Sequence, residues 1–231
     1  MQQPHDASGA KNVFDIFSGD PLSDCKKDRY IRLSPELDGL CLLYSNNRSP
    51  DKLFSMNILC WALRESGEID ALVPWLNDVM PAMELSDEEC GNWEGYYDPA
   101  NEFRFSDPPR HKALELETAA EYFGRARLEK TATVQEFADS LGTHALLIQP
   151  GCNEITLAEI MSWRLNSDGE IDAMLMDESQ VGQTPVLPGD DCLYTAQSQP
   201  SFRYFFQHHA ANQIKAHEPG ALAAIAMLMG D

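Results

Sequence analysis

The sequence predicts an α-rich α+β protein, with a mainly helical lobe over residues 1–142 and a mixed lobe over residues 143–231, or the two as one continuous domain. Three observations predict this. Apolar residues recur at helical spacing in much of the N-terminal part, an aromatic and acidic stretch interrupts them at 84–109, and alternation dominates after Gly142. The chain has 231 residues, of which 43% are hydrophobic, enough to bury a core.

The first helix is expected within residues 49–67. Ser49 suits the N-cap, Pro50 suits the first helical position, and Gly67 suits the C-terminal stop. Apolar residues on most sides of this segment are typical of a core helix. A second, shorter helical segment is expected to follow it, interrupted at Pro74.

The stretch 84–109 alternates aromatic and acidic residues around the turn sequence DPAN, which predicts an exposed hairpin. Aromatic side chains supply contact area at low entropy cost, and carboxylates steer a basic partner toward its site. The residues expected to bind a partner are Glu88, Glu89, Trp93, Glu94, Tyr96, Tyr97, Asp98 and Glu102. In the alternative interpretation, the hairpin lies at the surface and its aromatic residues pack inward on the helices.

Two more helices are predicted in the N-terminal lobe, over residues 110–130 and 133–142. The second begins with Thr133 and Glu136 in the spacing of a capping box. The C-terminal lobe is expected to contain a small antiparallel sheet and two closing helices. Its strands are predicted at 144–151, in a hairpin at 159–176 and at 191–196, and its helices at 200–217 and 219–229.

The pentapeptide GEIDA occurs twice, beginning at Gly67 and at Gly169, and each copy has a Trp six residues and a Leu four residues before the Gly. The first copy is expected to link two helices and the second to form the turn and outgoing arm of a hairpin. Because Gly permits both a helix C-terminus and a positive-φ turn, the patterns favour two unrelated uses over a domain duplication, which is the alternative.

Charge is the strongest compositional feature. Seventeen Lys and Arg residues face 37 Asp and Glu residues, giving a net charge of −20 and a pI near 4.5. Direct nucleic-acid binding is not expected, since it depends on basic residues that neutralise phosphates, and an anionic membrane would repel the chain. A basic protein partner is expected instead. The alternative is that the charge only keeps a cytoplasmic protein monodisperse.

The sequence offers no recognised cofactor or metal motif. The six Cys residues lack metal-ligand spacing, there is no glycine-rich nucleotide loop, and the segment NSDGEID fails as a calcium loop because Arg164 and Leu175 would take its first and last positions. No secretory or membrane-spanning segment is recognised, which predicts a cytoplasmic protein with reduced thiols.

These observations favour a non-enzymatic, acidic protein that inhibits or neutralises a basic, nucleic-acid-handling partner, as immunity and anti-defence proteins do. The first alternative is a structural or adaptor subunit of a larger assembly. The second is an enzyme with an unrecognised site at Cys152, beside His111 or His144, or on the segment with His208, His209 and His217. Structural roles are favoured for these cysteine and histidine residues.

Overall fold

The protein is mostly antiparallel β-sheet, so the predicted α-rich fold is wrong. The structure, a computed structural model, describes residues 28–46, 49–85, 92–123, 132–149, 151, 155–176 and 192–207. One α-helix is found in these ranges, in place of a helical lobe.

The described strands and helices are joined mostly by short connections. The strands are β1 (Tyr30–Pro35), β2 (Cys41–Asn46), β3 (Ser49–Asn57), β4 (Cys60–Arg64), β5 (Ile69–Trp75), β6 (Asp78–Pro81), β7 (Trp93–Asp98), β8 (Phe103–Phe105), β9 (Thr133–Ala138), β10 (His144–Ile148), β11 (Ile155–Asn166), β12 (Ile171–Met176), β13 (Leu193–Thr195) and β14 (Phe202–Phe206). A 3₁₀ turn covers Ala82–Glu84, and helix α1 covers Arg110–Phe123.

The strands form three antiparallel sheets. Their orders are β1-β4-β5-β6, β3-β2-β7-β8 and β13-β12-β11-β10-β14, and β9 also pairs with β11 in the third sheet. Residues 49–67, predicted as a core helix, form β3, β4 and the turn after them, and the short helical segment predicted next forms β5 and β6.

Burial on both faces explains this error. In β4, Trp61 and Leu63 belong to one hydrophobic cluster while Cys60 and Ala62 belong to a second cluster on the opposite side. A strand covered on both sides is apolar at every position, so the alternation that identifies a strand is lost.

The helix predicted at 133–142 is also wrong, because Thr133–Ala138 is β9. Glu136 does not cap a helix; its carboxylate accepts hydrogen bonds from Ser162 and Arg164. The helix predicted at 200–217 is wrong where it is described, because Phe202–Phe206 is β14. Its remainder and the helix predicted at 219–229 lie outside the described residues.

Other predicted elements are confirmed. The helix predicted over 110–130 is confirmed over Arg110–Phe123, and its remainder lies outside the described residues. The structure also has a hairpin of β7 and β8 within residues 84–109 and strands at β10, β11, β12 and β13. The sheet in the C-terminal part is antiparallel as expected.

The chain contains the same strand arrangement twice. Strands β1, β2, β5, β6 and β7 correspond to β9, β10, β12, β13 and β14, and the successive strands β3 and β4 correspond to the two halves of β11. We call residues 28–98 the first repeat and residues 132–207 the second repeat.

The irregularities repeat as well as the pairing. In the first repeat the register passes from Tyr30↔Arg64 to Arg32↔Leu63, skipping one residue of β1. In the second repeat it passes from Thr133↔Asn166 to Gln135↔Leu165, skipping the equivalent residue of β9. The pairings of β2 with β7 and of β10 with β14 also share a bulge at equivalent positions. Bulges at equivalent positions of equivalent strand pairs are specific evidence for a duplicated fold.

The two GEIDA copies therefore occupy one structural position. Gly67 has φ +95° and Gly169 has φ +88°, and their N–H groups donate to the carbonyls of Arg64 (3.1 Å) and Asn166 (3.0 Å). Both turns use a glycine with positive φ to join two strands. The interpretation that the first copy links two helices is wrong, and the structure supports duplication over two unrelated uses.

Each repeat contains an equivalent tryptophan–carboxylate pair. The Trp61 indole donates to Glu36 (2.6 Å) and the Trp163 indole donates to Asp139 (2.7 Å). Glu36 also accepts from the backbone N–H groups of Asp38 and Leu40, so its carboxylate closes the loop between β1 and β2. Both tryptophans are fully buried.

The repeats pack front to back. We call the Trp61 side of the first repeat and the Trp163 side of the second repeat their front faces. Trp163 on the front of the second repeat shares a cluster with Leu33, Cys60 and Ala62 on the back of the first. Hydrogen bonds also join the two repeats here. The Gln135 side-chain amide accepts from the Leu33 N–H (3.0 Å) and donates to the Leu33 carbonyl (2.7 Å).

The equivalent back face of the second repeat is polar. Glu136, Ser162 and Arg164 occupy the positions of Leu33, Cys60 and Ala62. Arg164 and Glu136 form an ion pair at 3.1 Å, and Ser162 donates to the same carboxylate. The back face of the first repeat, which contacts the second repeat, is therefore apolar. The back face of the second repeat, which does not contact the first, contains a hydrogen-bonded polar group.

Candidate protein-binding surface

The aromatic residues of β7 serve the core of the first repeat. Tyr96 is buried, and its ring lies 5.0 Å from that of Trp61 and 5.4 Å from that of Phe105. Burial raises the pKa of Tyr96 to about 12, with a further contribution from the charges of Asp70 and Asp107. Trp93 is half-buried and meets Tyr96 edge to face at 5.2 Å. These two residues therefore stabilise the fold more than they present a surface.

The acidic residues of the hairpin have different roles. Glu94 and Glu102 are exposed, and Tyr97 and Asp98 are half-buried. Asp98 accepts hydrogen bonds from the backbone of Ala100 (2.9 Å) and from the Asn101 amide (2.7 Å), which hold the turn and lower the pKa of its carboxyl. Glu88 and Glu89 lie outside the described residues.

Helix α1 contributes exposed residues that the sequence interpretation left out. Leu114 is 63% exposed and Tyr122 is 83% exposed, and the carboxylates of Glu117 and Glu121 are exposed between them. Phe103 of β8 is 60% exposed and stacks on Phe105. The sequence contains a signal for this exposure, because Leu114 and Tyr122 lie off the helix face that carries Leu116, Ala119 and Ala120.

A cavity of about 210 Å³ lies where the turn of the second repeat approaches the start of β1. Arg64 lines it, and each of its three guanidinium nitrogens is engaged: they donate to Asp70 (2.6 Å), to the Tyr30 hydroxyl (2.9 Å) and to the Asp28 carbonyl (3.1 Å). Burial raises the pKa of Tyr30 well above its ordinary value, so its phenol stays neutral. The arrangement stabilises the junction and offers no activated nucleophile.

A broader, open depression of about 590 Å³ is lined by Asn77, Gln197, Phe202, Arg203 and Tyr204. The Gln197 amide is engaged with the backbone of Ala173 (3.0 Å) and Ile171 (3.1 Å). One guanidinium nitrogen of Arg203 donates to two nearby carbonyls. These contacts tie the Gln197 and Arg203 side chains to nearby backbone groups.

The residues proposed for an enzyme do not assemble in the described part of the chain. His111 lies at the start of α1, 3.1 Å from Asp38, and His144 at the start of β10 contacts the Gly142 carbonyl at 2.9 Å. Cys152, His208, His209 and His217 lie outside the described residues. Across the described ranges, no group of three potential metal-ligating side chains comes together. No described helix has the length and apolar character needed to cross a membrane.

Comparison with known proteins gives no further guide. No family model matches the chain, and neither a curated protein nor a solved structure is significantly similar to it.

Proposed function

We propose that this protein is a non-enzymatic binding protein that neutralises a basic, nucleic-acid-handling partner, in the manner of an immunity or anti-defence protein. Its carboxylates would occupy Lys and Arg side chains that otherwise hold phosphates. The net charge of −20 supports a cationic partner, because opposite potentials accelerate encounter. The cytoplasm, the compartment expected from the sequence, is part of this proposal.

One observation carries the proposal: β8 and α1 each have exposed apolar side chains with exposed carboxylates next to them in sequence. Phe103, Leu114 and Tyr122 are each more than half exposed, and Glu102, Glu117 and Glu121 are exposed near them in sequence. Large apolar groups rimmed by charge are typical of protein-binding surfaces. On the acidic hairpin expected from the sequence, Glu94 and Glu102 are exposed, while Trp93 and Tyr96 pack inward on the core of the first repeat.

The test is affinity capture with the full-length protein from its native host, or from a competitor or prey of that host, followed by salt elution and identification of what co-purifies. We expect a basic partner whose association rate falls at least about tenfold between low and physiological ionic strength. An association rate that does not respond to salt would contradict the electrostatic mechanism.

The same exposed apolar residues also favour the second candidate function, a structural subunit of a larger assembly. An apolar subunit interface persists in high salt, whereas a steered acidic interface weakens. Size-exclusion mass of the captured complex at low and high salt separates the two candidates.

A further inference from the structure

Helix α1 is anchored by one face and exposes the other. On the inner face Leu116 is buried, and the buried Lys112 donates to the Pro35 carbonyl at 3.1 Å and lies 3.4 Å from Asp38. These contacts fix the helix on the first repeat. The outer face takes no part in these anchoring contacts.

The outer face has an ordered pattern. Leu114, Thr118 and Tyr122 follow at four-residue steps and form one ridge about 12 Å long. Glu117 and Glu121 form a parallel row beside this ridge, one helical turn apart. Among the ion pairs within the described residues, none involves either glutamate.

The charges on this face select its occupant. A second copy of the chain would bring two further glutamates to this face and only one exposed arginine, Arg110, and nucleic acid would bring phosphates against the glutamates. A helix with Lys or Arg residues one turn apart, beside Leu or Ile residues, would pair with the glutamate row and pack on the ridge at the same time. Resting on the proposed function, we propose that α1 docks a basic amphipathic helix of the partner, with the ridge meeting its apolar residues and Glu117 and Glu121 meeting its cations.

The probe is a synthetic amphipathic helix of Lys, Leu and Ala, compared with a scrambled peptide of the same composition that has no apolar face. Binding of each labelled peptide to the full-length protein is measured by fluorescence anisotropy. The variants are Glu117→Gln with Glu121→Gln, and Leu114→Ser alone. The control is Glu68→Gln with Glu159→Gln, which removes two exposed carboxylates from other surfaces.

We expect the amphipathic peptide to bind more tightly than the scrambled one. The double Gln variant on α1 should weaken it about three- to tenfold and the control double variant less than twofold. Leu114→Ser should weaken the amphipathic peptide and leave the scrambled one unchanged. Circular dichroism checks that α1 is intact, as Gln and Glu have similar helix propensity.

Three results would overturn this proposal: equal binding of both peptides, equal weakening by the α1 and control variants, or a Leu114→Ser variant that changes self-association and not peptide binding. The first two would leave the proposed function standing, with the charge acting without a defined docking helix. A captured partner that binds without any response to salt would instead remove the proposed function itself.

Discussion

The two repeats share a fold but differ in what surrounds them. Their turns, bulges and tryptophan–carboxylate pairs coincide, because these features are needed to close each unit on its own. Their back faces differ, because that of the first repeat packs against the second repeat, whereas that of the second repeat contains the Arg164–Glu136 ion pair. The comparison separates residues that specify the fold from residues that specify its neighbours, and substitutions at equivalent positions can measure each.

The largest effect is expected at the interface between repeats. Ala62 is fully buried there, while its counterpart Arg164 is paired with Glu136. Ala62→Arg would place an unpaired charge against Trp163 and Leu165 and should cost more than about 4 kcal/mol, enough to prevent stable folding. Far-UV circular dichroism and urea unfolding measure this.

The matched change in the second repeat is Arg164→Ala. It leaves Glu136 with its bond from Ser162 and should cost about 2 kcal/mol. If Ala62→Arg unfolded at the wild-type urea midpoint, the front-to-back packing of the repeats would be wrong.

The tryptophan–carboxylate pairs should show the next largest effect. Glu36→Ala leaves three donors without their acceptor and should cost about 3 kcal/mol. Asp139→Ala leaves the Thr143 N–H and the Trp163 indole without their acceptor and should cost about 2 kcal/mol. Urea midpoints measure both costs. An Asp139→Ala variant less stable than Glu36→Ala would reverse the expected order.

The equivalent carboxylates Asp70 and Asp172 should respond with opposite sign. Asp70→Asn weakens a half-buried ion pair with Arg64 and should cost about 2 kcal/mol at pH 7. Burial raises the pKa of Asp172, so its ionised form costs stability above its folded pKa, and this cost disappears below the unfolded pKa of about 4.

Asp172→Asn should therefore give a small gain in stability at pH 7 that vanishes below about pH 4. The amide introduced by this substitution can still accept the hydrogen bond that Asn166 donates to Asp172 at 2.6 Å. Urea unfolding across this pH range checks both signs. A loss of stability in both variants at pH 7 would mean that the two sites are equivalent after all.

The smallest contrast is expected at the two turn glycines. Both have positive φ, so alanine should cost about 1 kcal/mol at either position. A Cβ at Gly169 would also lie 2.7 Å from the Arg29 Cβ, whereas one at Gly67 would meet nothing within 4 Å. Gly169→Ala should therefore cost about 1 kcal/mol more than Gly67→Ala in thermal or urea unfolding. Equal costs would show that the junction yields to the added methyl group.

The sequence predicted the elements whose surroundings leave a local pattern. The β11–β12 hairpin was identified because Trp163 and Leu165 alternate with the polar residues Ser162 and Arg164. The equivalent hairpin of β4 and β5 was not, because Cys60 and Ala62 replace those polar residues at the interface. The repeated pentapeptide could have identified the β4–β5 hairpin. If the two GEIDA copies form the same turn, the hairpin predicted around the second copy also predicts a hairpin around the first.

The candidate surface was predicted in part for a similar reason. Local alternation indicated the β7–β8 hairpin, but the sequence alone did not show that Tyr96 and Trp93 would pack toward Trp61. Nor did it show which side of α1 the first repeat would cover. That choice depends on Lys112 and Leu116 meeting β1 and β4, which are distant in sequence.

The polar back face of the second repeat limits how far this architecture extends. Front-to-back contacts join unlike surfaces, so unless the rotation between units closes a ring, further units can add until a terminal surface differs. The Arg164–Glu136 ion pair stands where the first repeat has hydrocarbon, so a third unit packed in the same way would set its front face against paired charges instead of leucine and alanine. A longer array designed from this fold would first need those positions restored to the leucine and alanine of the first repeat.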